Sequence, residues 1–336
     1  MVVWRVLFQI FVLCAMGWNS FCLDYPLRGK IINLAFCANL LRTTSAESVQ
    51  VYNLPPVSSF FQAGFLHGGK AKDRIQAFLA TDEVSRLINF VNTTDGIRVL
   101  SSLRKQATRF TPWLVKELSG IAQGSDTSVE HIWAVNLLSE LQAAMPSGKE
   151  LPDGHCSDVF ARSNNGEVWH GHNEDWSLEF KPLLYFVVYN THDATIFPPV
   201  GGLVYPGQAP GFAVTFTPTL WTTQNSLFPK GLNENGKCVI SILREALVSA
   251  GNTTNTDDLA HQLAAKDQAY GMSTNVVTRS GIARRKLPIA FNVEVAGALN
   301  RSSVTTLSSL GSNMTHFNNY KFLHGVPVTM VRDPLL

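Results

Sequence analysis

A cysteine followed by histidines, carboxylates and amides is the part of this sequence best suited to chemistry. Cys156 lies in the segment GHCSDVF, and the segment WHGHNEDW follows it from Trp169 to Trp176. A thiolate is a strong nucleophile, while carboxylates and amides can hold charged or developing groups in place during its attack. The segment HFNNY, from His316 to Tyr320, supplies further amides far along the chain. These residue types predict nucleophilic catalysis centred on Cys156.

The same segment has a second interpretation, as a metal site. His170 and His172 alternate along a predicted strand, so both side chains are expected on one face. The other potential ligands nearby are His155, Cys156, Asp158 and Asp175. Their spacing matches no standard zinc framework. The sequence therefore predicts no metal and no cofactor.

Helices are predicted for the part of the chain that precedes Cys156. Apolar residues recur at steps of three and four from 60 to 144, the period of helices with one buried face. Within this range Thr127 and Glu130 form a capping box. Individual helices are predicted at 112–121 and 131–141.

Two features of this helical part are expected to serve packing. Glycines recur in it at Gly64, Gly68, Gly120 and Gly124, and they predict close approaches or turns. His67 is expected to pack a helix or cap it rather than to take part in chemistry.

Strands are predicted for the part that follows Cys156. Short apolar or β-branched runs are separated there by Gly, Pro and Asn. The predicted strands are 157–162, 168–171, 183–189, 194–197, 211–216, 239–243, 275–278, 291–295 and 303–307. One helix is predicted among them, at 256–265. Helices segregated before a strand-rich half predict the α+β class.

Composition and charge restrict the class of protein. The chain has 336 residues, of which 45% are apolar and 15% are charged, and this balance is typical of a globular protein. The net charge is only +2, and the longest basic run is short. Nucleic acid is therefore not expected as a partner.

The N-terminus has the pattern of a secretory signal peptide. Arg5 is followed by an apolar run from Val6 to Met16, which is too short to span a bilayer comfortably. Cleavage before Trp18 would remove residues 1–17. The expected location is secreted or lysosomal, with no stable membrane anchor; an uncleaved anchor is the alternative.

Sequons and cysteines agree with this route. The N-x-S/T sequons, at Asn92, Asn252, Asn300 and Asn313, predict a glycoprotein. Cys14 would leave with the signal peptide, and Cys156 is expected to stay reduced. Of the other three, Cys22 and Cys37 form the simplest disulfide. One thiol then remains unpaired, and spacing does not decide whether it is Cys238.

Blocks of sequence on both sides of Cys156 occur together in one known family. The blocks are Phe61–Lys72, Leu118–Glu140, Cys156–Trp176, Gly231–Gly236 and Tyr270–Asn275. In this order, over about residues 58–320, they resemble the acyl-coenzyme A:6-aminopenicillanate acyltransferase family. This C45 peptidase family of N-terminal-nucleophile hydrolases includes the insect β-alanyl-dopamine hydrolase.

The resemblance implies an αββα sandwich and a precursor that cuts its own backbone between His155 and Cys156. One composite hydrolase domain would then consist of a mostly helical part, 18–155, and a strand-rich catalytic part, 156–336. The Pro- and Gly-rich segment 145–154 would present the bond in an exposed loop. The freed α-amine, with a pKa of about 7.7 to 8.0, can take up the thiol proton.

The resemblance also implies a role for each site residue. Cys156 would be the nucleophile, Asp175 would hold its amine, and Asn318 would stabilise the oxyanion. Asn173 and Glu174 would support this arrangement. The expected reaction is hydrolysis or acyl transfer of a small N-acyl amide through a thioester. The expected partners are that small-molecule substrate and the chain's own two fragments.

Two other functions stay open. A ceramidase-like lipid amidase shares the nucleophile design, but its Cys-Thr-Ser and Arg-Asn-x-Asp patterns are replaced here by Cys-Ser-Asp at 156–158 and His-Asn-Glu-Asp at 172–175. A catalytically inactive secreted glycoprotein that acts as a binding module is the second. It is suggested by His155, where the family carries Gly, and by a chain that ends soon after Asn318.

Overall fold

The computed structural model describes residues 10–15, 25–27, 30–32, 49–146, 155–175, 177–194, 198–250, 256–278 and 288–329. The helices are α1 Phe60–Lys70, α2 Lys72–Leu79, α3 Asp82–Val91, α4 Thr94–Phe110, α5 Pro112–Ser125, α6 Val129–Asn136, α7 Leu138–Ala144, α8 Val239–Ala250 and α9 Thr256–Leu263. The strands are β1 Ile10–Ala15, β2 Tyr25–Leu27, β3 Lys30–Ile32, β4 Gln50–Asn53, β5 His155–Arg162, β6 Val168–Asp175, β7 Tyr185–Tyr189, β8 Val200–Val204, β9 Val214–Phe216, β10 Leu220–Ser226, β11 Gly271–Thr278, β12 Ala290–Ala296, β13 Arg301–Leu307 and β14 Asn313–His316.

Most of the strands form two sheets. The small sheet has the order β1-β6-β5-β14 and is antiparallel throughout. The large sheet has the order β13-β12-β11-β10-β9-β8-β7-β4, and only β4 runs parallel to its neighbour, β7. A separate hairpin joins β2 and β3. The α+β class predicted from the sequence is confirmed.

The two sheets pack face to face. On β5 the side chains of Asp158 and Phe160 are buried, whereas Val159 between them is 48% exposed. Asp158 accepts a hydrogen bond from Thr223 of β10 in the large sheet, so the buried face is the one turned toward that sheet. Trp169 of β6 is 42% exposed, on the opposite face of the small sheet. Burial thus alternates along these strands, although apolar residues occur on both faces.

Helices cover the other face of the large sheet. Tyr185 and Tyr189 of β7 belong to the main hydrophobic core, together with residues of α1, α5 and α8. The imidazole of His67 on α1 bonds to both tyrosine hydroxyls, at 2.7 and 2.8 Å. Burial and the nearby charge of Arg244 lower the pKa of His67 to about 3, so the ring is neutral. Its predicted packing role is confirmed.

Glycines let α1 and α5 cross closely. A Cβ atom on Gly64 would overlap the carbonyl oxygen of Glu117, and one on Gly120 would overlap that of Phe61. Gly68 and Gly124 repeat the arrangement one turn further along both helices. The predicted close approaches are confirmed, because any larger residue would force the helices apart.

Two predicted elements differ from the structure. The predicted strand 239–243 is the first part of the helix α8. Apolar residues continue beyond it at Ala246 and Leu247, and nearly the whole helix is buried, so a short apolar window could not distinguish it from a buried strand. The predicted helix 131–141 is divided at Leu137 into α6 and α7.

Other strand and helix predictions are displaced by a few residues, and several lie where the structure gives no description. In the predicted strand 194–197, Ala194 is in a turn and the rest is outside the described residues. The cleavage site before Trp18, the Cys22–Cys37 pair and the sequon at Asn252 also lie outside them. The backbone of β1, within the predicted signal peptide, pairs with β6.

Surface features bear on the predicted route of the protein. Three of the sequon asparagines are exposed: Asn92, Asn300 and Asn313. None of the helices in the described ranges combines the length and the apolar character needed to cross a bilayer. Removal of the signal peptide, glycosylation and the final location stay predictions.

Candidate active site

Cys156 lies in β5, between the two sheets. Its side chain is only 7% exposed. The antiparallel register places it directly opposite Glu174 of β6, and places His155 opposite Asp175. Cys156 and Glu174 therefore project from the same face of the small sheet, toward the large sheet.

Asn318 meets the backbone of Cys156. The strand β14 pairs with β5 so that His316 is opposite Asp158, and the chain two residues further on reaches Cys156. The Cys156 N–H donates to Oδ1 of Asn318 at 2.8 Å, and Nδ2 of Asn318 donates to the carbonyl of Ser226 at 2.9 Å. Since these partners are a backbone donor and a backbone acceptor, they fix the orientation of the amide.

A cavity of about 50 Å³ opens beside the thiol. Its apolar lining consists of Phe78, Leu138, Phe180, Tyr205, Phe212, Ala213 and Met272, and its polar lining of Ser139, Cys156, Glu174, Gln208, Gln224 and Ser226. A small, mostly apolar cavity with a few polar groups is typical of a site for a small organic ligand.

Two glutamines in this lining have unused hydrogen-bonding atoms. Gln208 donates through Nε2 to the carbonyl of Val135, and Gln224 accepts from Thr274. Among the described residues, Oε1 of Gln208 and Nε2 of Gln224 are buried without a hydrogen-bond partner. Both residues line the cavity, but these two atoms have almost no accessible surface, and such buried groups are costly unless something pairs with them.

Glu174 is held from two sides. The hydroxyl of Tyr205 donates to its Oε1 at 2.7 Å, and Nε2 of His172 donates to its Oε2 at 2.9 Å. The carboxylate is buried. Its position beside the thiol is therefore fixed by one hydrogen bond from its own strand β6 and one from the loop that follows β8.

Asp158 is the centre of the polar network between the sheets. It accepts from His170 at 2.6 Å, from His172 at 3.1 Å and from Asn225 at 2.8 Å. Further amides extend the network across the large sheet: Asn225, Asn275 and Asn292. Every oxygen of this buried carboxylate is paired, as a buried charge requires.

The charges in this network follow from their surroundings. Burial alone would raise the pKa of Asp158, but His172 and His170 hold it below its usual range. Burial would likewise lower the pKa of His172, but Asp158 and Glu174 raise it to about 10. Burial keeps the pKa of His170 below its usual value in spite of Asp158. Near neutral pH the site therefore holds an Asp158 carboxylate, an imidazolium at His172 and a neutral His170.

A second buried carboxylate anchors the segment that carries Asn318. Glu294 of β12 accepts from Nε2 of His316 at 2.7 Å. It also accepts from the backbone N–H groups of three consecutive residues: Lys321, Phe322 and Leu323. Asn318 lies between these attachments, so Glu294 fixes its place beside Cys156.

The structure brings together part of the site expected from the sequence. Cys156, Glu174 and Asn318 meet at one point. Asp175 and His155 are paired in backbone register at the ends of their strands, but the description of the structure does not extend to their side chains. Asn173 is buried.

Sequence reasoning missed the groups that complete the site. They are Tyr205, Gln208, Gln224 and Glu294. Polar residues such as Gln224 and Asn225 in an otherwise apolar strand were a usable signal, because buried polar groups require partners. The other positions carried no local pattern, and only the folded sheets bring them close.

The sequence matches no protein-family model and no curated protein.

Proposed function

We propose that this chain is a self-processing cysteine N-terminal-nucleophile hydrolase that cleaves, or transfers the acyl group of, a small N-acyl amide. The observation that carries the proposal is the contact between the backbone nitrogen of Cys156 and Oδ1 of Asn318, at 2.8 Å. This nitrogen would become the catalytic amine. The sequence blocks resemble the acyl-coenzyme A:6-aminopenicillanate acyltransferase family, and this contact joins two of its expected site residues.

The layer arrangement supports the proposal. Two sheets packed face to face, with helices on the outer face of the large one, correspond to three layers of an αββα sandwich. The nucleophile lies at the junction of the two sheets, where such a sandwich places it. The outer face of the small sheet is exposed at Val159 and Trp169, where a fourth layer would pack.

Self-processing would begin with attack of the Cys156 thiolate on the carbonyl carbon of His155. The peptide C–N bond breaks, the nitrogen of Cys156 takes up a proton, and a thioester links the two residues. Water then hydrolyses the thioester to a carboxylate on His155 and a thiol on Cys156. Asn318 can accept a hydrogen bond from the nitrogen before and after cleavage.

Turnover would use the same atoms. The α-amine takes the thiol proton, and Sγ attacks the amide carbonyl to give a tetrahedral oxyanion. The side-chain nitrogen of Asn318 carries two hydrogens. It donates one in a hydrogen bond to the carbonyl of Ser226, so the other can stabilise the oxyanion. The amine product leaves with a proton from the α-ammonium group. Water or an acceptor amine then resolves the thioester.

The cavity supports a small substrate. Drug-sized ligands occupy pockets of roughly 300–1,000 Å³, whereas about 50 Å³ is open beside Cys156. The aromatic walls suit a short apolar acyl group. This favours a small N-acyl amide over the long acyl chain of a ceramidase-like substrate.

The first experiment measures the mass and the N-terminal sequence of protein secreted from eukaryotic cells, after glycan removal. The native chain is expected to give two fragments that meet between His155 and Cys156. Cys156→Ala is expected to stay intact, and Cys238→Ala, the matched buried cysteine, is expected to be cleaved like the native chain. An intact native chain would contradict the proposal and favour the inactive binding module.

A substrate panel then separates the two amidase alternatives. Cleaved protein is expected to release amine from short N-acyl amides at a rate that Cys156→Ala lacks. Faster turnover of long-chain acyl amides, together with dependence on detergent, would instead indicate the lipid amidase.

A further inference from the structure

Three buried side chains beside the cavity form a cluster of metal-ligand type. One donor atom from each of Cys156, His172 and Glu174 lies within 4.8 Å of the other two. A thiolate, an imidazole and a carboxylate are all ligands that zinc accepts, and three protein ligands leave a fourth position open. The cavity provides room for that fourth position next to Cys156 and Glu174.

We propose that Cys156, His172 and Glu174 bind a zinc-class divalent metal ion, and that the bound ion blocks Cys156 as a nucleophile. Metal binding itself needs only these side chains, so it is expected of the intact and the processed chain alike. The inhibitory consequence rests on the function proposed above. The metal would act as a regulator of this thiol and not as a cofactor of the reaction.

The surrounding hydrogen bonds already orient two of the ligands. Nδ1 of His172 donates to Asp158 at 3.1 Å, which leaves Nε2 directed at Glu174. The other oxygen of Glu174 accepts from Tyr205 at 2.7 Å. In zinc sites a ligating histidine usually donates its other N–H to a carboxylate, and a ligating carboxylate usually accepts a hydrogen bond of its own.

The geometry requires a small adjustment. Nε2 of His172 and Oε2 of Glu174 are 2.9 Å apart and share a proton that the metal would replace. Zn–S and Zn–N or Zn–O bond lengths in a tetrahedral site place ligand atoms roughly 3.6 Å apart. Since the three donor atoms lie within 4.8 Å of one another, movements of no more than about 1 Å bring them to these spacings, and side-chain rotations supply movements of this size.

Sequence spacing could not reveal this cluster. His172 and Glu174 are two residues apart on one strand, but Cys156 joins them only because β5 and β6 pair with Cys156 opposite Glu174. The expectation of no metal was based on spacing and on the family resemblance of this segment. The register of β5 and β6, which brings the thiol to His172 and Glu174, is the reason to propose a metal site instead.

The test uses full-length protein, reduced and stripped of metal, with Co²⁺ as a spectroscopic probe. The wild type and Cys238→Ser are expected to bind one Co²⁺ and to show the near-ultraviolet thiolate-to-cobalt band. Cys156→Ser is expected to lose the band and to bind at least 100-fold more weakly. Glu174→Gln is expected to weaken binding about 10- to 100-fold. Zn²⁺ should displace the cobalt.

A second measurement covers the case in which a variant does not fold. X-ray absorption of zinc-loaded Cys238→Ser is expected to show one sulfur at about 2.3 Å and lighter ligands at about 2.0–2.2 Å. No sulfur at the zinc, or an unchanged cobalt band in folded Cys156→Ser, overturns the proposal. Self-cleavage is measured separately by mass, so failure of metal binding and failure of the proposed function give different results.

Discussion

Asn318 is the residue whose contacts define its role most directly. Its oxygen accepts from the nitrogen of Cys156, and its nitrogen is tied to Ser226. One side chain is therefore placed to serve both the amine and the oxyanion of the proposed reaction. Neither role could be assigned from the sequence without the resemblance, because the two residues are 162 positions apart.

Asn318→Ala is expected to slow self-cleavage and to lower kcat by about 100- to 1,000-fold, the effect of losing one oxyanion donor. Asn319→Ala, an exposed neighbour, is the matched control and should behave like the wild type. Cleavage is followed by mass and kcat by amine release. Equal rates for the two variants would remove Asn318 from the site.

Glu174 and Asp175 can be separated by the same assays. The sequence resemblance favours Asp175, whereas the structure places Glu174 opposite Cys156 and buries it between Tyr205 and His172. Glu174→Gln is therefore expected to lower kcat at least as much as Asp175→Asn, by about 100-fold. A much larger loss in Asp175→Asn would return the amine-holding role to Asp175 alone.

At the scale of elements, the crossing of α1 and α5 depends on glycines, and the sequence predicted this close contact. Recurrent Gly in a helical pattern predicted close contact, and α1 and α5 meet there. The helix α8 could not be predicted in the same way. Its polar residues Ser241 and Arg244 are buried together with its apolar ones, so burial does not divide the helix into a polar and an apolar face.

Gly64→Ala is expected to destabilise the protein by about 1–3 kcal/mol or more, since its methyl group would overlap the backbone of α5. Gly69→Ala in the same helix is the control. There the nearest atom to an added methyl group is 3.8 Å away, so stability should rise by up to about 1 kcal/mol. Denaturant titration measures both. Destabilisation of equal size would contradict a specific crossing contact.

The junction of α7 and α8 is expected to depend on pH. Burial raises the pKa of Glu140 to about 7, although the N–H of Val239 at the start of α8 opposes the shift. An acid whose pKa is raised on folding contributes stability that is complete below its usual value of 4.5 and is lost as pH rises through 7.

The unfolding free energy of Glu140→Gln should therefore equal that of the wild type near pH 4 and exceed it by up to roughly 3 kcal/mol at pH 8. The difference in unfolding free energy at the two pH values measures this. A difference independent of pH would show that Glu140 titrates normally in the folded protein.

For the whole molecule, the space between the sheets combines two kinds of packing. An apolar cluster at one end contains Phe160, Val168, Val277, Ala290, Leu307 and Met314. The polar network around Asp158 occupies the other end. The alternation of β6 predicted that His170 and His172 share one face, but both halves depend on strands from distant parts of the sequence.

Asp158→Asn is expected to lower the unfolding free energy by about 3–5 kcal/mol at pH 6, because it leaves the buried His172 cation without its main partner. The contribution of Asp158 is present above its usual pKa of 3.8 and is lost as pH falls. That of His172 is complete below 6.5 and is lost as pH rises through about 10. The difference in unfolding free energy between the wild type and Asp158→Asn should therefore shrink at both low and high pH. A deficit that stays constant would exclude the ion pair as its cause.

The pairing of the strand β4 predicts that the protein can be assembled from two separately produced pieces. It precedes the proposed cut yet pairs with β7, which follows it, and the buried pair of Glu117 and Arg244 also joins the two sides. The two pieces should consequently reassemble when encoded by separate genes. Fragment complementation would then supply a second piece that starts at Cys156 from the outset, so that enzymatic competence could be assayed without any maturation step.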